Sequence, residues 1–224
     1  MSLPRRVKAV VFDMDGLLVD TETVARDGFF AAAAELGHDV PAEVYGRMIG
    51  TQGELSRKIL IEHFGPGFEV EPLWQGWSAQ FGTRLEAGAR LMDGVIELLD
   101  HLDAAATPYA IATSSPHDDV DRNFAPHGLK DRFAAILARG DYAQGKPAPD
   151  PFLAAAKALG VDAADCLALE DSHNGVRAAH AAGMMTIMVP DLLDPTEEMR
   201  GLCVRIADSL HEVRALLAEQ GTTR

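Results

Sequence analysis

Between Val7 and Phe12 only Lys8 interrupts an apolar run, and the run ends in Asp13-Met14-Asp15-Gly16. A short apolar segment closed by Asp and Gly reads as a buried strand with two carboxylates at its mouth. Beyond it, Ala25, Phe29, Ala32, Ala33 and Leu36 fall on one helical face, so residues 21–36 are predicted to form a helix that stops at Gly37. No strand pattern follows promptly. From Pro41 to Arg90 the chain offers helix-like and loop-like stretches, two tryptophans (Trp74 and Trp77) and no alternating β-branched run, as expected of an inserted helical unit.

From Asp93 helix and strand patterns alternate. Asp93 is expected to cap a helix with Val95, Leu98, Leu99 and Leu102 facing inward, and Tyr109–Thr113 to form the second strand. Ser115 as N-cap and Pro116 at the first helical position predict a helix ending near Gly128. Phe133–Leu137 is the third predicted strand, followed by a helix from Asp150-Pro151 to Gly160 with Phe152, Ala155, Ala156 and Leu159 inward. Cys166–Leu169 is the fourth; Ser172 then caps a helix that runs to Ala182. Met184–Val189 is the fifth, and Ser209 with Glu212 has the capping-box pattern of a last helix. Strands alternating with helices imply a parallel sheet covered on both faces, a doubly wound α/β fold, which binds ligands beyond the carboxyl ends of its strands.

A chain of 224 residues is long enough for one core domain with a smaller one attached. The formal net charge of -14, from 20 basic and 34 acidic side chains, argues against nucleic acid or an anionic membrane as partner. With only Cys166 and Cys203 present, neither a disulfide scaffold nor a zinc site is expected, and both thiols are expected to be inert. No apolar run approaches the roughly 18 residues of a membrane span, and no signal segment is evident, so cytoplasmic residence is expected.

The strand ends carry the chemistry. Side chains alternate along a strand, so Asp13 and Asp15 can face one side, where two carboxylates need a proton or a cation between them. The same four residues read equally well as a solvated acidic turn. A calcium loop is excluded, since counting from Asp13 places Leu18 at the turn glycine and Val24 at the bidentate glutamate. Thr113-Ser114-Ser115 offers hydroxyls and a helix start suited to an anion, or simply an N-cap. Lys146, between Gly145 and Pro147, could aim its ammonium at the site or be solvated. Glu170-Asp171 adds two more carboxylates, or merely complements a helix dipole. Taken together, four carboxylates with oxygen donors alone call for a hard cation, Mg²⁺. A nucleophile, an acid, a cation and anion-binding hydroxyls are the parts that phosphoryl transfer needs.

Asp13-Met14-Asp15-Gly16, Thr113-Ser114-Ser115, Lys146-Pro147 and Glu170-Asp171-Ser172 resemble the four ordered motifs of the haloacid dehalogenase-like hydrolase superfamily. The subgroup resembled is that of β-phosphoglucomutase and its phosphatase relatives. This resemblance implies a doubly wound, Rossmann-like parallel-sheet core spanning residues 1–17 and 91–224, with an inserted α-helical cap domain at 18–90. It implies Asp13 as nucleophile and Asp15 as acid/base, with Thr113, Ser114 and Lys146 holding the phosphoryl group. Mg²⁺ would be bound by Asp13, the Asp15 backbone carbonyl and Asp171, with Glu170 in or next to the shell. The substrate implied is a small phosphorylated metabolite.

Within the family, Asp15 disfavours dehalogenation, which does not use a second aspartate. Sugar-phosphate mutases of the subgroup carry a cap histidine and a K-G-x-x-R-like element; here Ala25 and Ile49-Gly50-Thr51-Gln52-Gly53 stand at the corresponding positions, which favours hydrolysis over mutase chemistry. A phosphonate hydrolase would need a cap lysine, and only Lys58 is available. A non-catalytic phosphate binder is expected to lack Asp13 or Asp15, and both are intact. Arg47, Arg57, Lys58, His63, Trp74, Trp77 and Arg84 are the candidate substrate contacts, though each also suits a surface or core role. The oligomeric state is left open.

Overall fold

The computed structural model describes residues 3–49, 53–86 and 88–222. The chain forms two compact units, Met1–Asp20 with Arg90–Arg224 and, between them, Thr21–Ala89. Elements are numbered in chain order: β1 (Ala9–Phe12), α1 (Thr21–Glu35), α2 (Ala42–Gly46), α3 (Gly53–Phe64), α4 (Val70–Leu85), α5 (Val95–Ala104), β2 (Tyr109–Ala112), α6 (His117–Phe124), β3 (Ala135–Leu137), α7 (Asp150–Leu159), β4 (Cys166–Glu170), α8 (His173–Ala181), β5 (Met185–Met188), α9 (Glu197–Leu202), β6 (Arg205–Ile206) and α10 (Leu210–Thr222). No helix among the described residues is long and apolar enough to cross a membrane.

The larger unit is built on a six-stranded parallel sheet in the order β3-β2-β1-β4-β5-β6. Successive connections run outward on one side of β1 and then outward on the other, so the order reverses between β1 and β4. At such a switch point, beyond the carboxyl ends of the strands, open α/β sheets bind their ligands. Along β1, Ala9 and Val11 join a cluster with Ala110, Ala112 and Ala168 of the sheet and with Phe152, Ala155, Ala178 and Ala179 of α7 and α8. Alanines on this face let the two helices approach closely. Phe12 points the other way, edge-on to Tyr109 and Phe133 at ring separations of 6.1 and 6.2 Å.

Several expected boundaries move. The α5 cap is Gly94 in a left-handed conformation rather than Asp93, whereas α7 begins at Asp150 as expected, with the Asp150 carboxylate accepting from the Gln144 N–H. A sixth strand, β6, joins the five expected; with two residues it is too short to show a period. Residues 18–20 and Arg90 lie with the core unit. Val19 bridges to Leu91, the Asp20 N–H donates to the Arg90 carbonyl at 2.9 Å, and the Arg90 guanidinium pairs with the buried Asp20 carboxylate at 2.7 Å. Cys166 is buried and Cys203 half-buried, and burial pushes both thiols up to about 11.

The smaller unit is helical. Phe29, Ala32 and Ala33 of α1 pack with Tyr45, Ile59, Leu60, Val70 and Leu73, whereas Leu36, expected on the same face, is exposed because α1 has ended at Glu35. Trp74 and Trp77 sit against this cluster, and the Trp77 indole donates to the Ala25 carbonyl at 2.7 Å. Leu73 has no exposed surface. Leu73→Ala is expected to lower unfolding stability by about 2–5 kcal/mol through the cavity it leaves, read as a shift of the urea midpoint.

Candidate active site

The strand-end residues come together at the switch point. Parallel pairing of Phe12 with Leu169 and with Ile111 puts the residues that follow β1, β4 and β2 side by side. The Asp13 N–H still donates to the Leu169 carbonyl at 3.0 Å, which extends the ladder by one residue and fixes the Asp13 backbone. Beyond it the chain folds into a tight turn in which the Leu18 and Val19 N–H groups reach back to the Met14 carbonyl at 2.9 and 3.1 Å. Gly16 has φ of 77°, and a Cβ there would also overlap the Asp171 carboxylate. The turn therefore needs glycine on both counts.

Lys146 reaches this point from the loop between β3 and α7. Its ammonium pairs with Asp13 Oδ1 and lies 2.5 Å from Glu170 Oε1, with only 6% of the lysine side chain exposed. The Phe152 ring lies under the ammonium, 5.1 Å from it to the centroid. Asp13, Glu170 and Asp171 each offer a carboxylate oxygen within 4.8 Å of the others. Burial pushes the Glu170 carboxyl up to about 7 against the pull of Lys146, with the Asp13 charge adding to the rise. One ammonium does not balance three crowded carboxylates, and an oxygen-only set of this kind fits a hard divalent cation.

Glu170 is also held from below. Its Oε2 accepts from the Ser172 N–H at 3.2 Å and the Ser172 hydroxyl at 3.0 Å, and that hydroxyl accepts from the Gly175 N–H at 3.1 Å. Ser172 is thus the expected cap of α8 and at the same time links the first turn of the helix to the carboxylate. Asp15 turns away from this acidic group toward β2. Its Oδ2 accepts from the Ser115 hydroxyl at 2.7 Å and from the Thr113 hydroxyl at 3.3 Å.

Sequence reasoning misplaced Ser115. The N-cap of α6 is Pro116, which has no polar side chain, so Ser115 lies one residue before the cap and its hydroxyl donates to Asp15. Thr113 is fully buried and Ser114 exposed. Tyr142 was missed altogether: its hydroxyl donates to the Thr113 carbonyl at 2.8 Å and is hydrogen-bonded with the Ser114 side chain. No local pattern marks it, since it sits in an aperiodic loop. Of the other candidates, Arg47 pairs with Glu62, and Arg57 pairs with Glu71 and lies over Trp74. Gly50, Thr51 and Gln52 lie outside the described residues.

Comparison with known proteins identifies the family of the chain. The family model for haloacid dehalogenase-like hydrolases matches residues 7–183. A protein of Drosophila melanogaster named as a probable pseudouridine-5'-phosphatase is 38% identical, over 84% of this chain and 83% of its own length. Hexitol phosphatase B of Escherichia coli K12 is 31% identical, over 85% of this chain and 86% of its own. Among solved structures, a hydrolase of this family from Deinococcus radiodurans, with bound phosphate and sodium, superimposes with a TM-score of 0.83 at 28% identity, covering 96% of each chain. A family match over most of the chain, together with relatives above 30% identity along nearly their whole length, makes this protein a member of the haloacid dehalogenase-like hydrolases.

Proposed function

We propose that this enzyme hydrolyses small phosphate monoesters of the sugar or polyol class, with Mg²⁺, through an aspartyl-phosphate formed on Asp13. The observation that carries the reading is the joint placement of Asp13, Lys146, Glu170 and Asp171 at the switch point, with the Asp15 carboxylate turned to the β2 side. The phosphatase names of its relatives support the choice of reaction, and the hexitol and pseudouridine phosphatases support the substrate class.

In the first step an Asp13 carboxylate oxygen attacks phosphorus; the Asp13 O–P bond forms as the ester P–O bond breaks. Asp15 gives its proton to the departing oxygen. It then takes a proton from water as that water attacks the phosphoryl group, releasing inorganic phosphate and freeing Asp13. Ser114 and Lys146 hold the phosphoryl oxygens, Thr113, expected from the sequence to join them, is fully buried and gives its hydroxyl proton to Asp15 instead, and the Thr21–Ala89 unit selects the substrate. Asp13, Glu170, Asp171 and the Asp15 carbonyl would hold Mg²⁺. When bound, the cation supplies positive charge against the phosphoryl oxygens and offsets the crowded carboxylates. Ala25 carries no ionisable side chain, which favours release of phosphate over its return to the sugar.

A panel of hexose, hexitol, pentose and glycerol phosphates, assayed for inorganic phosphate after chelation and again after Mg²⁺ addition, tests the reading. Release on at least one ester is expected only with Mg²⁺ present. Full activity in chelator would remove the metal from the scheme, and isomer interconversion without phosphate release would replace hydrolysis with mutase chemistry.

A further inference from the structure

We infer that Ser115 is a positioning residue for the acid/base Asp15, a role that rests on the hydrolytic reading above. Pro116, not Ser115, is the N-cap of α6, so Ser115 lies one residue outside the cap and its hydroxyl has no capping role there. The hydroxyl donates instead to Asp15 Oδ2 at 2.7 Å.

The Ser115 backbone is fastened on both sides. Its N–H donates to the Thr113 hydroxyl at 3.0 Å, and its carbonyl accepts from the Arg139 N–H at 2.9 Å. The Thr113 hydroxyl in turn donates to the same Asp15 Oδ2 at 3.3 Å. Two donors on one oxygen fix the rotation of the carboxyl group and make Oδ2 an acceptor only. The transferable proton is thereby assigned to Oδ1. In the step that Ser115 supports, the ester P–O bond breaks as the Asp13 O–P bond forms, and the proton on Asp15 Oδ1 passes to the leaving oxygen. A hydroxyl that holds the acid, and does not touch the phosphoryl group, helps only where the leaving oxygen needs that proton.

This gives a readout that a structural role would not move. An alkyl ester such as glycerol phosphate leaves as a strongly basic alkoxide, whereas p-nitrophenyl phosphate leaves as a stable phenolate that needs no proton. Comparing kcat/KM for both esters confines the measurement to steps up to loss of the leaving group. Ser115→Ala is expected to lower kcat/KM for the alkyl ester by about 10- to 100-fold and for the aryl ester by less than about 3-fold. The inhibition constant of inorganic phosphate is expected to hold, and Ser115→Thr to restore most of the alkyl-ester activity. Equal losses on both esters, or weakened phosphate inhibition, would overturn the positioning role in favour of a structural or phosphate-binding one. No loss on either ester would overturn it as well. Asp15→Asn in the same series separates this inference from the reading beneath it. If that variant also fails to discriminate between the esters, the acid role of Asp15 falls. If it discriminates and Ser115→Ala does not, only the role of Ser115 falls.

Discussion

Asp13→Asn is expected to lower phosphate ester hydrolysis by about 10⁴-fold or more, even on p-nitrophenyl phosphate, where no leaving-group proton is needed. The amide is nearly the same size as the carboxylate, so the turn and the ladder bond from Asp13 to Leu169 have no reason to change. What disappears is the anionic carboxylate proposed as nucleophile and its ion pair with Lys146. Two measurements check this together: turnover of the aryl ester, and acid-quench trapping of phosphate on the protein. Wild-type enzyme should yield an acid-stable, hydroxylamine-labile phosphoenzyme and the variant none. Turnover that survives the substitution would leave the scheme without its first step.

Gly175→Ala, a change of a single methyl group, should be strongly damaging. On propensity alone it ought to help, because alanine is favoured over glycine within a helix by about 1 kcal/mol. A Cβ on Gly175, however, would fall onto the Glu170 carboxylate, which is fully buried beneath the first turn of α8. Either the carboxylate swings away from Lys146 and Ser172 or the turn lifts off the sheet. We expect the variant to lose about 1–3 kcal/mol of unfolding stability, since overpacking outweighs propensity, and activity to fall by at least about 10-fold. Raised stability in urea would show that the carboxylate moves aside at no cost. Raised stability combined with unchanged turnover would mean that Glu170 has no need of its position.

The contrast between Gly175 and Ser172 shows what local pattern can and cannot convey. Ser172 was legible as a cap because its partner, the Gly175 N–H, lies three residues away and depends only on helix geometry. Gly175 was not, because its reason is a carboxylate on the adjoining strand; read along the chain, it is only a weak helical position. Ser115 failed in the same manner: along the chain it read as the cap of α6, but that position falls to Pro116, and pairing of β1 with β2 brings the Ser115 hydroxyl to Asp15, 100 residues distant. Convergence of the strand ends was readable, since alternating helices and strands force a parallel sheet whose carboxyl ends share one edge. Tyr142 and β6 offered no period to read, one lying in an irregular loop and the other spanning two residues.

The zipped pair formed by Val19, Asp20, Arg90 and Leu91 works as a stem. Its two chains are already held at hydrogen-bonding distance, so whatever is spliced between them has its ends joined in advance. The closure entropy of such an insert grows only with the logarithm of its length, and a short turn and a whole domain are then nearly equivalent as seen from the core. The Asp13–Val19 turn is folded on its own backbone hydrogen bonds and on Asp171, within the same unit. A stem of this kind lets one core accept exchangeable inserts, so that the inserted unit can be replaced by transplantation while the fold of the core is inherited intact.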